Sequence, residues 1–154
     1  MSRAFVRESD QEPESLPDRP ISSHPNLVTQ SGLEQIEARI HELESQRQAE
    51  QSVEHSATLA GIERDLRYWR KRRATARVIE PTVPLSSVVF GAHVTLHFED
   101  GAQRSFRLVG EDEADPAKSL LSWVSPLARA LIGQRAGDVV RFQDKDVEIL
   151  TIEP

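Results

Sequence analysis

Apolar residues in the first half of the chain follow two short seams separated by a polar stretch. Within each seam they recur at alternating steps of three and four, which is the spacing of a coiled coil. The first seam is Leu33, Ile36, Ile40 and Leu43, and the second is Leu59, Ile62, Leu66 and Trp69. The seams mirror each other about position 51. This symmetry predicts an antiparallel helical hairpin over residues 27–80, with its bend near Gln51 and Ser52.

The boundaries of the predicted hairpin carry local signals. Thr29 or Ser31 can cap the first helix, and Glu34 follows Ser31 at the spacing of a capping box. Pro81 and Pro84 end the helical region and form a linker. Residues 1–26 are acidic and proline-rich and offer little apolar surface to offset their ordering entropy. We therefore predict a disordered tail over residues 1–26.

The second half of the chain, residues 81–154, shows strand patterning. Val94, Leu96 and Phe98 alternate with polar residues, and Asp100-Gly101 is a turn signal before a return strand over residues 105–109. Residues 139–142 and 147–152 form a second predicted pair. A short helix over residues 126–132 begins at the cap Ser125 and ends before Gly133. The predicted fold class is α+β, with a small antiparallel sheet and one short helix.

Composition narrows the functional classes. The formal net charge of −6 argues against a nucleic-acid coat protein or a polybasic membrane binder. The absence of cysteine excludes disulfides and cysteine-based zinc sites. No apolar run approaches the roughly 20 residues that span a bilayer, and the first residues lack a signal-peptide core. We expect a cytoplasmic protein with no membrane partner.

Two motifs in the second half point to a family. Residues 110–115 read GEDEAD and residues 125–133 read SPLARALIG. These strings closely resemble the C-terminal domain of the bacterial Gre (GreA/GreB) transcript-cleavage factors. The resemblance implies an FK506-binding-protein-like domain that binds bacterial RNA polymerase at its secondary channel, with no cofactor and no small-molecule substrate. It assigns docking on the polymerase to Asp112, Glu113, Asp115, Ser125 and Pro126.

The hairpin departs from the family pattern. In Gre factors two acidic residues in a GDLxENAEY-like tip motif help to hold Mg²⁺ at the polymerase active site, and this chain lacks that motif. The region is also about twenty residues shorter than in a typical Gre factor, or about 15 Å per arm at 1.5 Å per residue. The resemblance therefore implies a regulator without efficient cleavage stimulation. It is not itself an enzyme, because any RNA hydrolysis would belong to the polymerase.

Three alternatives stay open. Glu50 and Glu54 lie near the bend, four residues apart, and a true cleavage factor would use them as a replacement acidic pair sharing Mg²⁺ with the polymerase. The alternative interpretation is that Glu50 and Glu54 are only solubilising residues on an exposed bend. A second alternative is a regulator resembling the short-hairpin Rnk proteins. A third is a peptidyl-prolyl isomerase-like binding module, although the aromatic set is only what a small core uses.

The second helix is strongly basic within an acidic chain. Residues 57–77 carry seven basic and two acidic side chains. One hypothesis is an RNA-facing patch, with nascent RNA reached through the polymerase; the other is a solvated coiled-coil face. The patch consists of Arg64, Arg67, Arg70, Lys71, Arg72 and Arg73. His93 and His97 share a strand face, but two ligands do not make a metal site, and none is predicted.

Overall fold

A helical hairpin is followed by a five-stranded sheet in the computed structural model, which describes residues 15–50 and 56–154. Helix α1 spans Gln30–Ala49 and helix α2 spans Ser56–Thr75. Each has 20 residues, or about 30 Å of helix. The predicted hairpin is confirmed. Its bend at Gln51 and Ser52 lies outside the described residues.

Seven of the eight predicted seam residues form the core between the two helices, and the eighth, Leu59, is half-buried outside it. Ile36, Ile40 and Leu43 of α1 pack with Ile62 and Leu66 of α2, and all five are buried. Leu33 and Trp69 close the end of this core nearest the sheet domain and are only partly buried. The hairpin therefore has a hydrophobic core of its own.

Helix α1 begins earlier than the capping-box prediction required. Thr29 is the N-cap, and its side-chain oxygen accepts a hydrogen bond from Gly32 N at 3.0 Å. Ser31 is already inside the helix and exposed. Of the two predicted caps, Thr29 is therefore confirmed, and the capping box at Ser31 and Glu34 is wrong.

The sheet has the strand order β5-β4-β3-β7-β6. Its strands are β3 (His93–Phe98), β4 (Gln103–Val109), β5 (Leu120–Ser122), β6 (Val139–Phe142) and β7 (Lys145–Glu153). Four strands pair antiparallel as predicted, but β5 pairs parallel to β4. The wholly antiparallel sheet is thus corrected to a mixed one. A three-residue strand is too short for alternation to reveal it in the sequence.

One face of the sheet is buried by helix α3 (Pro126–Leu131). Val94 and Leu96 of β3 are fully buried and Phe98 is partly buried, and α3 covers this face with its own buried residues Leu127 and Leu131. Ser125 caps α3 through a hydrogen bond from Ala128 N at 3.3 Å. The short helix and both of its end signals are confirmed.

Residues 15–26, which we call the N-terminal strap, lie along α2 and reach the sheet domain. Asp18 pairs with Arg67, and Asn26 is buried with its amide donating to the Arg72 carbonyl at 2.7 Å. This differs from the tail predicted through residue 26. The strap needs little apolar surface because ionic and polar contacts hold it. Residues 1–14 lie outside the described part of the chain.

Two further strands join the strap to the end of the hairpin. Strand β1 (Leu27–Val28) precedes α1, and strand β2 (Arg77–Val78) follows α2. They pair in parallel, with Ile79 N donating to Val28 O at 3.0 Å. This pair ties the two ends of the hairpin together where the sheet domain begins. No helix within residues 15–50 and 56–154 combines the length and apolar character needed to cross a membrane.

The close approach of the two domains at Gly110 gives the first prediction. A Cβ at Gly110 would collide with the Leu27 carbonyl oxygen, whereas a Cβ at Gly61 of α2 would meet open space. We expect Gly110→Ala to destabilise the protein by about 1–3 kcal/mol through overpacking. Gly61→Ala, the matched control, should stabilise it by about 1 kcal/mol through helix propensity. Urea unfolding measures both, and an unchanged midpoint for Gly110→Ala would contradict the contact.

Candidate functional site

The acidic motif at residues 110–115 folds against the base of α2, inside the molecule. Asp112 Oδ2 accepts a hydrogen bond from Arg72 Nε at 2.5 Å, and its other oxygen accepts one from the Tyr68 hydroxyl. The Arg72 side chain is only 2% exposed and that of Asp112 is 11% exposed. A buried guanidinium is tolerated only when it is paired, so this ion pair fixes the sheet domain on the hairpin.

Glu113 makes the second contact between the motif and the hairpin. It is buried, and its carboxylate accepts a hydrogen bond from the hydroxyl of Thr29, the residue that caps α1. A Cβ at Gly32, in the first turn of α1, would lie 2.8 Å from Glu113 Oε1. The glycine therefore leaves room for the carboxylate beside the positive N-terminal end of the helix.

Glu111 links the motif to the strap. Its Oε1 accepts a hydrogen bond from Ser22 Oγ at 2.9 Å, and its Oε2 lies 3.8 Å from Arg72 Nη2. Nearby, the ring of His24 meets the edge of Trp123 with centroids 6.1 Å apart. Hairpin, strap and sheet domain thus meet around the acidic motif.

The five residues predicted to dock on a polymerase divide into two groups. Asp112 and Glu113 bind side chains of the hairpin, as described above. Asp115, Ser125 and Pro126 flank the edge strand β5: Asp115 bridges to Leu120, and Ser125 N donates to Ser122 O at 3.0 Å. Because β5 has only three residues, both ends of this edge lie within about 10 Å of each other. Pro126 is exposed there.

The basic residues of α2 do not form one surface. Arg72 faces the sheet domain and is buried, so it is not part of an exposed patch. Arg70 pairs with Glu44 of α1 at 3.0 Å. Arg67 and Lys71 face the strap, where Asp18 lies 2.5 Å and 3.7 Å from them. Arg64 contacts Asp65 at 3.4 Å, and Arg73 is exposed.

The hairpin tip is described only in part. Glu50 is the C-terminal cap of α1, and its backbone N–H donates to Gln46 O at 3.0 Å. Glu54 lies outside the described residues, so the predicted acidic pair is not seen together. Among residues 15–50 and 56–154, no group of three or more histidine and carboxylate side chains is arranged to hold a metal ion.

In the described part of the chain, three ionisable groups have shifted pKa values. Burial, together with the hydrogen bond to Asp112, raises the pKa of Tyr68 to about 12. The Arg67 guanidinium lowers the pKa of Asp18 through its hydrogen bond, and Arg70 does the same to the pKa of Glu44.

Comparison with known proteins adds a family to this geometry. Residues 83–154 match the family model "Transcription elongation factor, GreA/GreB, C-term". The chain is 33% identical over 142 residues to transcription elongation factor GreB of Yersinia pestis, covering 80% of this chain and 83% of that protein. It is 40% identical over 98 residues to GreB of Neisseria meningitidis serogroup B, covering 60% of each.

The fold and the match define a helical-hairpin factor with a Gre-type C-terminal domain. The chain belongs to the GreA/GreB family of transcription elongation factors. In the Neisseria match it spans only about three fifths of the relative's length. The crystal structure of GreA factor homolog 1 from Thermus thermophilus aligns with a TM-score of 0.41 and 18% identity, covering 83% of this chain and 98% of that one.

The contact between Asp112 and Tyr68, the only tyrosine of the chain, gives a prediction. We expect its phenol to ionise with a midpoint near pH 12 in the folded protein, against about 10 after unfolding. Because the folded-state pKa is raised, the associated stability is present below pH 10 and is lost as the pH rises toward 12. Near-ultraviolet absorbance measures the midpoint, with circular dichroism confirming that the protein is folded.

Asp112→Asn tests the cause of that shift. Removing the negative charge beside the phenol should lower the midpoint of Tyr68, while burial keeps it above that of the unfolded chain. Asp144→Asn, an exposed acid in the β6–β7 turn, is the control and should leave the midpoint unchanged. Identical midpoints for both variants would contradict the contact between Tyr68 and Asp112.

Proposed function

We propose that this protein regulates transcription elongation by binding bacterial RNA polymerase at its secondary channel, without efficiently stimulating transcript cleavage. The observation that carries the polymerase half is the Gre-type C-terminal domain over residues 83–154. The hairpin carries the other half, since its sequence holds no GDLxENAEY-like motif at the bend.

The length of the hairpin supports the loss of cleavage stimulation. The alignment with Yersinia GreB has 142 positions but covers 80% of the 154 residues here, about 123, so about 19 positions of the relative have no counterpart. We propose that these positions belong to its hairpin. With helices of 20 residues, each arm extends about 30 Å. A tip that stops short of a distant metal ion cannot supply oxygen ligands to it.

Docking is proposed at the edge of the sheet formed by β5. Asp112 and Glu113 are held by Arg72, Tyr68 and Thr29, so they position this edge. Asp115, Ser125 and Pro126 remain as the predicted residues that lie along it. The polymerase contact is then made by β5 and the start of α3, and the buried acids set the direction in which the hairpin points.

A cleavage assay on backtracked polymerase complexes tests the first proposal. We expect the protein to compete with a GreB factor for the polymerase and to release no short 3′ RNA above background. Cleavage that disappears in the Glu50→Ala/Glu54→Ala variant would overturn this and establish the alternative acidic pair. GreB alone is the positive control, and it must lose activity as this protein is added.

A pair of surface variants tests the docking edge. Pro126→Arg places a bulky charge beside β5 and should weaken polymerase binding by about tenfold or more, as at an interface hot spot. Val139→Arg is the matched control, because Val139 is 57% exposed on β6, the opposite edge of the sheet. Equal binding by both variants would place docking elsewhere. Circular dichroism should show that both remain folded.

A further inference from the structure

One face of α2 carries three cations at helical spacing, and the strap lies across it. Arg64, Arg67 and Lys71, which we call the cationic face, have side chains 36%, 37% and 57% exposed. Asp18 Oδ1 accepts a hydrogen bond from Arg67 Nε at 2.5 Å, and its Oδ2 lies 3.7 Å from Lys71 Nζ. The Leu16 carbonyl accepts a second hydrogen bond from Arg67, at 2.9 Å.

These contacts imitate a phosphate. Asp18 presents two anionic oxygens to two cations, Arg67 and Lys71, as a backbone phosphate would, while Arg67 Nη2 donates to the Leu16 carbonyl and not to the carboxylate. The next strap residue, Arg19, lies over the ring of Tyr68, 3.9 Å from its centroid. The strap therefore covers both the cations and the aromatic ring that a single-stranded nucleic acid would use.

The two ends of the strap are held unequally. At residues 24–28 the chain is fixed by the buried Asn26 and by the pairing of β1 with β2. At residues 16–19 the contacts include ion pairs whose side chains are 23% to 57% exposed. Exposed pairs of this kind contribute little to stability and are screened by salt. Residues 16–19 can therefore be displaced while residues 24–28 stay in place.

We propose that residues 16–19 of the strap are an internal competitor for single-stranded RNA, with Asp18 occupying the place of a backbone phosphate on the cationic face. The inference rests on the proposed function only in taking RNA as the ligand. The apparent affinity for RNA then depends on the fraction of molecules in which the strap is released. A strand entering the cationic face displaces Asp18 from Arg67 and Lys71, and Arg19 from Tyr68.

The test compares two charge-neutralising variants in the full chain, without polymerase. Asp18→Asn weakens the strap contact, and Glu44→Gln removes the same charge from a carboxylate that pairs with Arg70 instead. Fluorescence anisotropy with a labelled short oligouridylate should show Asp18→Asn binding about threefold or more tighter than Glu44→Gln, because more molecules are open. Arg67→Ala added to Asp18→Asn should abolish the gain.

Equal affinities of Asp18→Asn and Glu44→Gln would overturn the proposal, since the effect would then be one of net charge. A gain that survives Arg67→Ala would also overturn it. Circular dichroism and urea unfolding verify that each variant is folded. Because no polymerase is present, failure here leaves polymerase docking untouched, and failure of docking leaves this binding measurement unaffected.

Discussion

The ion pair between Arg72 and Asp112 is the contact on which the arrangement of the molecule depends. It joins two separate hydrophobic cores, one inside the hairpin and one under the sheet, that share no buried residue. Each core stabilises its own domain, but neither core determines the direction in which the hairpin points from the sheet domain. A paired, nearly buried guanidinium does, because an arrangement that kept Arg72 covered but moved Asp112 away would leave a charge buried without its partner. The direction of the hairpin is therefore set by electrostatics.

Internal pairing also changes the meaning of the charges on this chain. An acidic protein with a basic helix suggests an external anionic partner. In the structure its own carboxylates meet many of those cations: Asp112 binds Arg72, Glu44 binds Arg70, and Asp18 binds Arg67. These pairs differ in depth. The buried one is structural, whereas the exposed ones are weak enough to be exchanged for another anion.

The two domains carry different parts of the proposed function. The sheet domain holds the family motif, and two of its acids hold the hairpin in place. The hairpin, whose helices have 20 residues each, holds no GDLxENAEY-like string near its bend, and the proposed lack of cleavage stimulation rests on it. Membership of the GreA/GreB family therefore accounts for the sheet domain more fully than for the hairpin. The edge at β5 brings the remaining motif residues together.

Much of the fold was predictable, because helices, strands and turns depend mainly on residues that are close together in the sequence. The seams, the turn at Asp100-Gly101 and the capped helix at Ser125 depend on residues close together in the chain, and each was confirmed. The strand β5 was missed, because three residues are too few to show alternation. The strap was missed because its contacts are polar and lie about fifty residues away.

The sequence by itself determined the three α-helices, the four antiparallel strands of the sheet and the family. It also singled out Arg72, Asp112 and Glu113, but for contacts with other molecules. Their partners were decided only by the tertiary structure. The sequence does not show which way a charged side chain points, and Arg72 and Asp112 are 40 positions apart in the chain. In the folded protein they are paired, because a buried charge without a partner is costly. Residues that were predicted to contact other molecules therefore hold the two domains of this protein together.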